Sequence, residues 1–213
     1  MPCIETTTAE IPFARIYLWK ITETAEELAQ LANGGHDLLA AACSKFASPK
    51  RRLEWLATRA LLQHTPCKDS AILYHSNGKP YLGDSHKHIS ISHTQGYAAI
   101  AVADTPVGID IELISRSPLA VAQAYLQPQE TAALQGSSTP AAEALRLWTV
   151  KEAAFKLQAG STEVLKDIAV EQSAVPGIYD ITYRCGATAT AITATAHGLV
   201  ISCSTAERNK QQP

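Results

Sequence analysis

The sequence is short of most of the features that would place it at once. It has no basic excess, since 18 lysines and arginines stand against 20 aspartates and glutamates, and a net charge of -2 signals no nucleic-acid partner. It has no cysteine pair. Cys3, Cys43, Cys67, Cys185 and Cys203 are odd in number, scattered and without a C-x-x-C spacing, so they read as free thiols in a reducing cytoplasm. It has no long apolar run, because stretches such as Tyr97 to Ala103 fall far short of the roughly 18 residues of a spanning helix, and no secretory pattern stands at its start. Nothing in it is expected to cross a membrane. Gly-x-x-x-x-Gly-Lys-Ser/Thr and Gly-x-Gly-x-x-Gly loops are also missing, which removes support for a nucleoside triphosphatase or a nicotinamide enzyme. Ser92-His93 has no nucleophile elbow, and neighbours on a strand point apart, so a Ser-His triad fails. His86, His88 and His93 do not share one strand face and do not make a zinc site.

What is there is a chain of 213 residues, 46% apolar and 18% charged, enough to bury a sizeable core as one large domain or two packed halves of a soluble globular protein. Phe13 to Ile21 alternates like a strand. Thr24 with Glu27 resembles a capping box opening a helix that Asn33-Gly34-Gly35 stops, and His36 to Phe46 reads as another. Ser48 as N-cap and Pro49 at the first helical position announce a stronger helix to about Gln63, with Arg52, Trp55 and Arg59 along one side. Ala71 to Tyr74 is a short strand before an Asn77-Gly78 turn, and His88 to Ser92 and Tyr97 to Ala103 form an antiparallel pair. Pro118 to Leu126 and Pro128 to Leu134 are expected helices, followed by a longer one over Ala141 to Ala159 ended by Gly160. Asp167 to Val170, Gly177 to Arg184, Ala187 to Thr195 and Leu199 to Ser202 alternate like strands of an antiparallel sheet, before a frayed tail from Glu207. Helices plus antiparallel strands in both parts make the class α+β.

Two features stand out chemically. In the β-branched run Val107 to Ile114, Asp110 and Glu112 fall on one strand face about 7 Å apart along the backbone, with Ile109, Ile111 and Leu113 on the other. Like charges held side by side call for something positive between them, and carboxylates on a rigid element suit a hard divalent cation; a solvated acidic face is the plainer alternative. On the long helix, Leu145, Trp148, Glu152 and Phe155 form one stripe, so Glu152 either has a partner or lies at an edge. An ordinary pair with Lys156 one turn on is the structural explanation.

Gly78-Lys79-Pro80, Ile89-Ser90-Ile91-Ser92-His93, Gly108-Ile109-Asp110-Ile111-Glu112 and Trp148-Thr149-Val150-Lys151-Glu152-Ala153-Ala154-Phe155-Lys156, in this order and spacing, resemble the signature motifs of the 4′-phosphopantetheinyl transferase superfamily. The length resembles its single-chain, pseudodimeric branch, the surfactin-synthetase-activating type. The resemblance implies two similar α+β halves, residues 1–105 and 106–213, joined near Asp104-Thr105-Pro106 and related by a pseudo-two-fold, with the active site in the cleft between them. It implies transfer of the phosphopantetheine arm of coenzyme A to a serine of an apo acyl or peptidyl carrier protein, with release of adenosine 3′,5′-bisphosphate, in a cytoplasmic monomer serving fatty acid, polyketide or nonribosomal peptide biosynthesis. Asp110, Glu112 and Glu152 would be ligands of Mg²⁺ or Mn²⁺. Glu152 would also take the proton of the serine, directly or through a metal-bound water, and Lys156 would contact the pyrophosphate. Lys79, Ser92 and His93 match positions that hold the coenzyme, His93 at its 3′-phosphate. Arg52 and Arg59 are candidate nucleotide contacts, with Arg51 as the alternative to Arg52, and Lys151 points off the stripe. A carrier-binding module without chemistry and a coenzyme A pyrophosphate hydrolase are the competing readings.

Overall fold

A computed structural model describes residues 3–6, 11–158 and 163–206, the first stretch by its backbone alone. Strands β1 (Cys3–Thr6) and β2 (Arg15–Lys20) are followed by helices α1 (Ala25–Leu31), α2 (Gly35–Lys45) and α3 (Pro49–Leu62). Strands β3 (Ile72–Tyr74), β4 (Pro80–Leu82), β5 (His88–Thr94), β6 (Tyr97–Ala103) and β7 (Val107–Leu113) come next. After a short 3-10 turn at Leu119–Val121 come α4 (Ala122–Tyr125), α5 (Pro128–Gln135) and α6 (Pro140–Leu157), then β8 (Ala169–Gln172), β9 (Ile178–Thr182), β10 (Thr188–Ala196) and β11 (Leu199–Ala206). The class is α+β with antiparallel sheets.

The local signals act as expected. Thr24 and Glu27 make a complete capping box, and the Ser48 hydroxyl accepts from Arg51 N at 3.5 Å at the start of α3. Both ends satisfy backbone groups that a helix leaves open. Strands β1 and β4 are added, each pairing with its neighbour in sequence, β1 with β2 and β4 with β3 across the Asn77-Gly78 turn. The expected helix over Pro118 to Leu126 is a 3-10 turn plus the four-residue α4. Gly160 and the tail from Glu207 lie outside the described residues.

The first sheet has the order β1-β2-β6-β5 and the second β7-β11-β10-β9-β8. Both repeat one path: a first strand (β2, β7) pairs with the last (β6, β11), which pairs with the one before it (β5, β10). Alternation along each strand divides the apolar side chains among three cores. Tyr17, Trp19, Ala98 and Ile100 pack under α1 to α3, and Tyr179, Ile181, Ala189 and Ala191 pack under α4 to α6. Ile16, Leu18, Ala99 and Ala101 of the first sheet meet Ile109, Ile111, Ile201 and Cys203 of the second in the third. The result is four layers, helices outside and two sheets within.

Candidate functional site

The site forms where the edges of the two sheets meet. β5 and β7 run side by side with serine hydroxyls as the link: Ile109 N donates to Ser90 Oγ at 3.0 Å and Ile111 N to Ser92 Oγ at 3.2 Å. Ser92 Oγ donates to Asp110 Oδ1 at 2.8 Å, and Thr94 Oγ1 to Glu112 Oε2 at 2.8 Å. Asp110 and Glu112 share one face of β7 as alternation requires, and both are buried. That face lies under α6, which comes very close because the residues between them are small. A Cβ on Gly108 would sit 2.0 Å from the Ala153 carbonyl oxygen, so only glycine fits.

Close packing brings Glu152 and Lys156 of α6 to the carboxylates. Lys156 Nζ donates to Asp110 Oδ1 at 2.7 Å, to Ile109 O at 3.0 Å and to Ser92 Oγ at 3.1 Å. Its partner is therefore Asp110 rather than Glu152. Glu152 is half-buried beside Asp110, and burial first, then the Asp110 charge, push its carboxyl above the ordinary carboxylate range. The stripe it belongs to is a rim and not a seam, since Trp148 and Glu152 are half-buried and Phe155 is exposed, while Ala144, Leu147, Val150 and Ala154 form the buried side.

Asp110 Oδ2 is buried with no hydrogen-bond partner among the described residues. An orphaned carboxylate oxygen beside a second carboxylate is costly by itself and is the environment a hard cation relieves. The oxygen donors here fit a divalent ion in kind. Among the described residues no three His, Cys, Asp or Glu side chains already converge on one point, because Glu112 is held by Thr94 and by Arg116, whose guanidinium also lies 5.1 Å from the Trp148 ring.

From this corner a polar cleft of about 630 Å³ runs past Glu112 and Arg116 to Arg51, Glu54 and His93, and a second of about 330 Å³ continues from those three residues to Trp55, Tyr74, Gly78 and Pro80. Of the residues that the sequence suggested for the coenzyme, His93 lines both. Arg51 rather than Arg52 lines them: Arg52 donates to Phe46 O at 2.7 Å and Ala47 O at 3.3 Å and ties down the turn before α3. Arg59 stacks on Trp55, 3.4 Å from the ring centroid, and donates to the Trp55 carbonyl at 3.1 Å. The hydroxyl proton of Ser92 goes to Asp110, so Ser92 serves the β5 to β7 junction. Lys79 Nζ donates to Leu157 O at 2.6 Å at the C-terminal end of α6, where a cation also offsets the helix dipole.

Two pairings are not among those expected from the sequence. Glu54 is buried between Lys50, Arg51 and His93, and its spacing of three and four from Arg51 and Lys50 was a usable signal. Lys151 is fully buried on Glu130, with Nζ 2.7 Å from Oε2 and donating to Ile168 O at 2.6 Å. Glu130 also accepts from Gln127 N and Val170 N, so the pair is closed on all sides. Nothing in the sequence linked residues 130 and 151.

Residues 106–196 match the model of the 4′-phosphopantetheinyl transferase superfamily. Among named relatives, the chain is 33% identical to the 4′-phosphopantetheinyl transferase gsp of Aneurinibacillus migulanus over 107 residues, 48% of this chain and 45% of that protein. It is 34% identical to the 4′-phosphopantetheinyl transferase AcpT of Escherichia coli O157:H7 over 119 residues, 52% of this chain and 60% of that protein. The match thus spans about half the length of these relatives. The crystal structure of Helicobacter pylori holo-[acyl-carrier-protein] synthase in complex with coenzyme A is similar at a TM-score of 0.39 and 21% identity, over 47% of this chain and 99% of that one.

Proposed function

We propose that this chain is a 4′-phosphopantetheinyl transferase, moving the phosphopantetheine arm of coenzyme A to a serine of an apo acyl or peptidyl carrier protein and releasing adenosine 3′,5′-bisphosphate. The observation that carries the reading is the Asp110, Glu152 and Lys156 cluster, with its unpartnered Asp110 oxygen, at β7, the strand whose Glu112 lines a cleft with Arg51 and His93. The halves 1–105 and 106–213, related by a pseudo-two-fold, belong to the same reading, supported by the repeated strand order. So do a monomeric state and a cytoplasmic setting, consistent with the free thiols of Cys43, Cys67, Cys185 and Cys203.

In this reaction the serine oxygen bonds to the β-phosphorus of coenzyme A, the bond from that phosphorus to the bridging oxygen breaks, and the serine proton is taken up. Glu152 accepts that proton, directly or through a bound water. Lys156 places a fixed positive charge where charge grows on the leaving phosphate. Asp110, Glu112 and Glu152 would hold Mg²⁺ or Mn²⁺, which when bound offsets charge on the pyrophosphate. Arg51 and His93 hold the coenzyme's 3′-phosphate, and Trp55, with Arg59 stacked on its ring, forms an aromatic wall on the nucleotide side. The carrier docks at the segment after β7, where Ile114, Leu119 and Val121 are exposed.

The test is mass spectrometry of apo carriers from fatty acid, polyketide and nonribosomal peptide synthesis incubated with the chain, coenzyme A and Mg²⁺. A gain of one phosphopantetheine on any carrier is expected, and its absence on all of them sinks the proposal. Coenzyme A cleavage at equal rate without carrier would identify a hydrolase instead.

A further inference from the structure

Glu54 is an acidic residue in a place that otherwise gathers positive charge. It is 5% exposed, lies on α3, and faces the cleft with Lys50 Nζ at 3.7 Å, Arg51 Nη1 at 3.4 Å and His93 Nδ1 at 3.6 Å from its carboxylate oxygens. An anion site gains nothing directly from a carboxylate, which repels the phosphate it should attract. The carboxylate must act through one of its neighbours.

His93 is the neighbour whose state is not fixed. Its Nε2 lies 3.1 Å from Arg51 Nη1, and a guanidinium can only donate, so Nε2 accepts and the proton of the neutral ring sits on Nδ1, facing Glu54. In that form His93 offers the cleft no donor. The charged groups facing it are Glu54 and Arg51 from α3 and Lys156 from α6. Burial, with the two cations, outweighs Glu54 and holds the imidazole below its ordinary pKa, so it is neutral at pH 7 in the free protein. An arriving phosphate reverses this balance by drawing Arg51 to itself and adding negative charge beside Nε2.

We propose that Glu54 is a positioning residue of the coenzyme site: it orients His93 through Nδ1 and supports the imidazolium that forms when a phosphate binds at Nε2. This rests on the transferase reading. With Glu54 in place the ring takes up one proton on binding and becomes a donor at both nitrogens; with glutamine there it stays neutral and keeps only Arg51 as a phosphate donor.

The experiment follows the His93 imidazole by ¹⁵N NMR in the full chain, with coenzyme A and dephospho-coenzyme A as probes, and measures affinities by calorimetry from pH 5.5 to 8.5. The free wild type should show a neutral ring protonated at Nδ1 at pH 7, and coenzyme A should convert it to imidazolium. Glu54→Gln should leave the ring neutral in the complex and weaken coenzyme A about tenfold at pH 7, with the gap narrowing toward pH 5.5 and dephospho-coenzyme A changing less than about twofold. A wild-type ring protonated at Nε2 when free, or still neutral in the complex, overturns the proposal without any variant. So does Glu54→Gln binding coenzyme A with wild-type affinity and pH profile. If the wild type binds no coenzyme A, the transferase reading fails and takes this one with it; if it binds and the variant matches it, only the role of Glu54 falls.

Discussion

Helix α6 carries two lysines in opposite surroundings. Lys151 is sealed at its back against Glu130, with the carbonyls of Leu165 and Ile168 and the amides of Gln127 and Val170 completing the pair. Lys156 faces the cleft with Asp110, whose second oxygen has no partner, and with Glu152, which makes no ion pair among the described residues. The same two chemical groups therefore do different things. A closed Lys-carboxylate pair fixes the rotation of the helix, whereas an open one leaves capacity for a ligand. The back holds α6 so that the front can present Glu152 and Lys156 at fixed positions.

Breaking the front should cost activity and leave the fold intact. Asp110→Ala and Glu152→Ala are each expected to lower transfer by at least about a hundredfold to a thousandfold in a carrier-loading assay, with urea midpoints close to wild type. Either variant retaining ordinary activity at ordinary Mg²⁺ would remove that residue from the chemistry. Breaking the back should cost stability first. Lys151→Met leaves Glu130 buried without its cation and is expected to destabilise by roughly 3–5 kcal/mol in chemical denaturation, while adding Glu130→Leu should recover most of the loss. A double variant no better than the single one would show that Lys151 matters for something other than its partner.

The contact between the two faces can be loosened at Gly108. Gly108→Ala puts a Cβ against the Ala153 carbonyl, so α6 must shift, at a cost of about 1–3 kcal/mol in urea unfolding and with a fall in kcat larger than any change in the coenzyme A KM. The effect confined to the narrowest range of conditions is on the alkaline arm of stability. Burial pushes the phenols of Tyr125, which donates to Ala144 O on α6, and Tyr179 up to about 12, against an ordinary 10.0. Because the folded-state values are raised, the unfolded chain loses these protons first. Their contribution is full below pH 10 and is lost as pH rises toward 12, by about 1.4 kcal/mol per pH unit for each tyrosine. Tyr125→Phe should flatten that slope, and an unchanged slope between pH 10 and 12 would show that this phenol is not held by the back of α6.

Much of this was legible because it is local. The capping box at Thr24, the Ser48-Pro49 start, the hairpin through Gln95-Gly96 and the acidic face of β7 depend on residues near in sequence. On the coenzyme side the motifs single out residues and leave their neighbours open. Lys79 reaches the end of α6 and Ser92 the Asp110 carboxylate, both across the junction of the sheets, contacts that no spacing in the sequence indicates. Arg51 and Arg52 are adjacent in sequence and point to different places, and only the packing of α3 separates them.

By itself, the sequence determined the α+β class, nearly all the helices and strands, the shared face of Asp110 and Glu112, and the superfamily resemblance, since each depends on periodicity or on short fixed spacings. Tertiary structure decided the rest. It set β5 beside β7, gave Asp110 to Lys156 and left one of its oxygens open, buried Lys151 on Glu130, and put Glu54 behind His93. These pairings join residues 18 to 46 positions apart. Chain alternation fixes the face a side chain points to, and only the packing of that face against another element fixes what it meets.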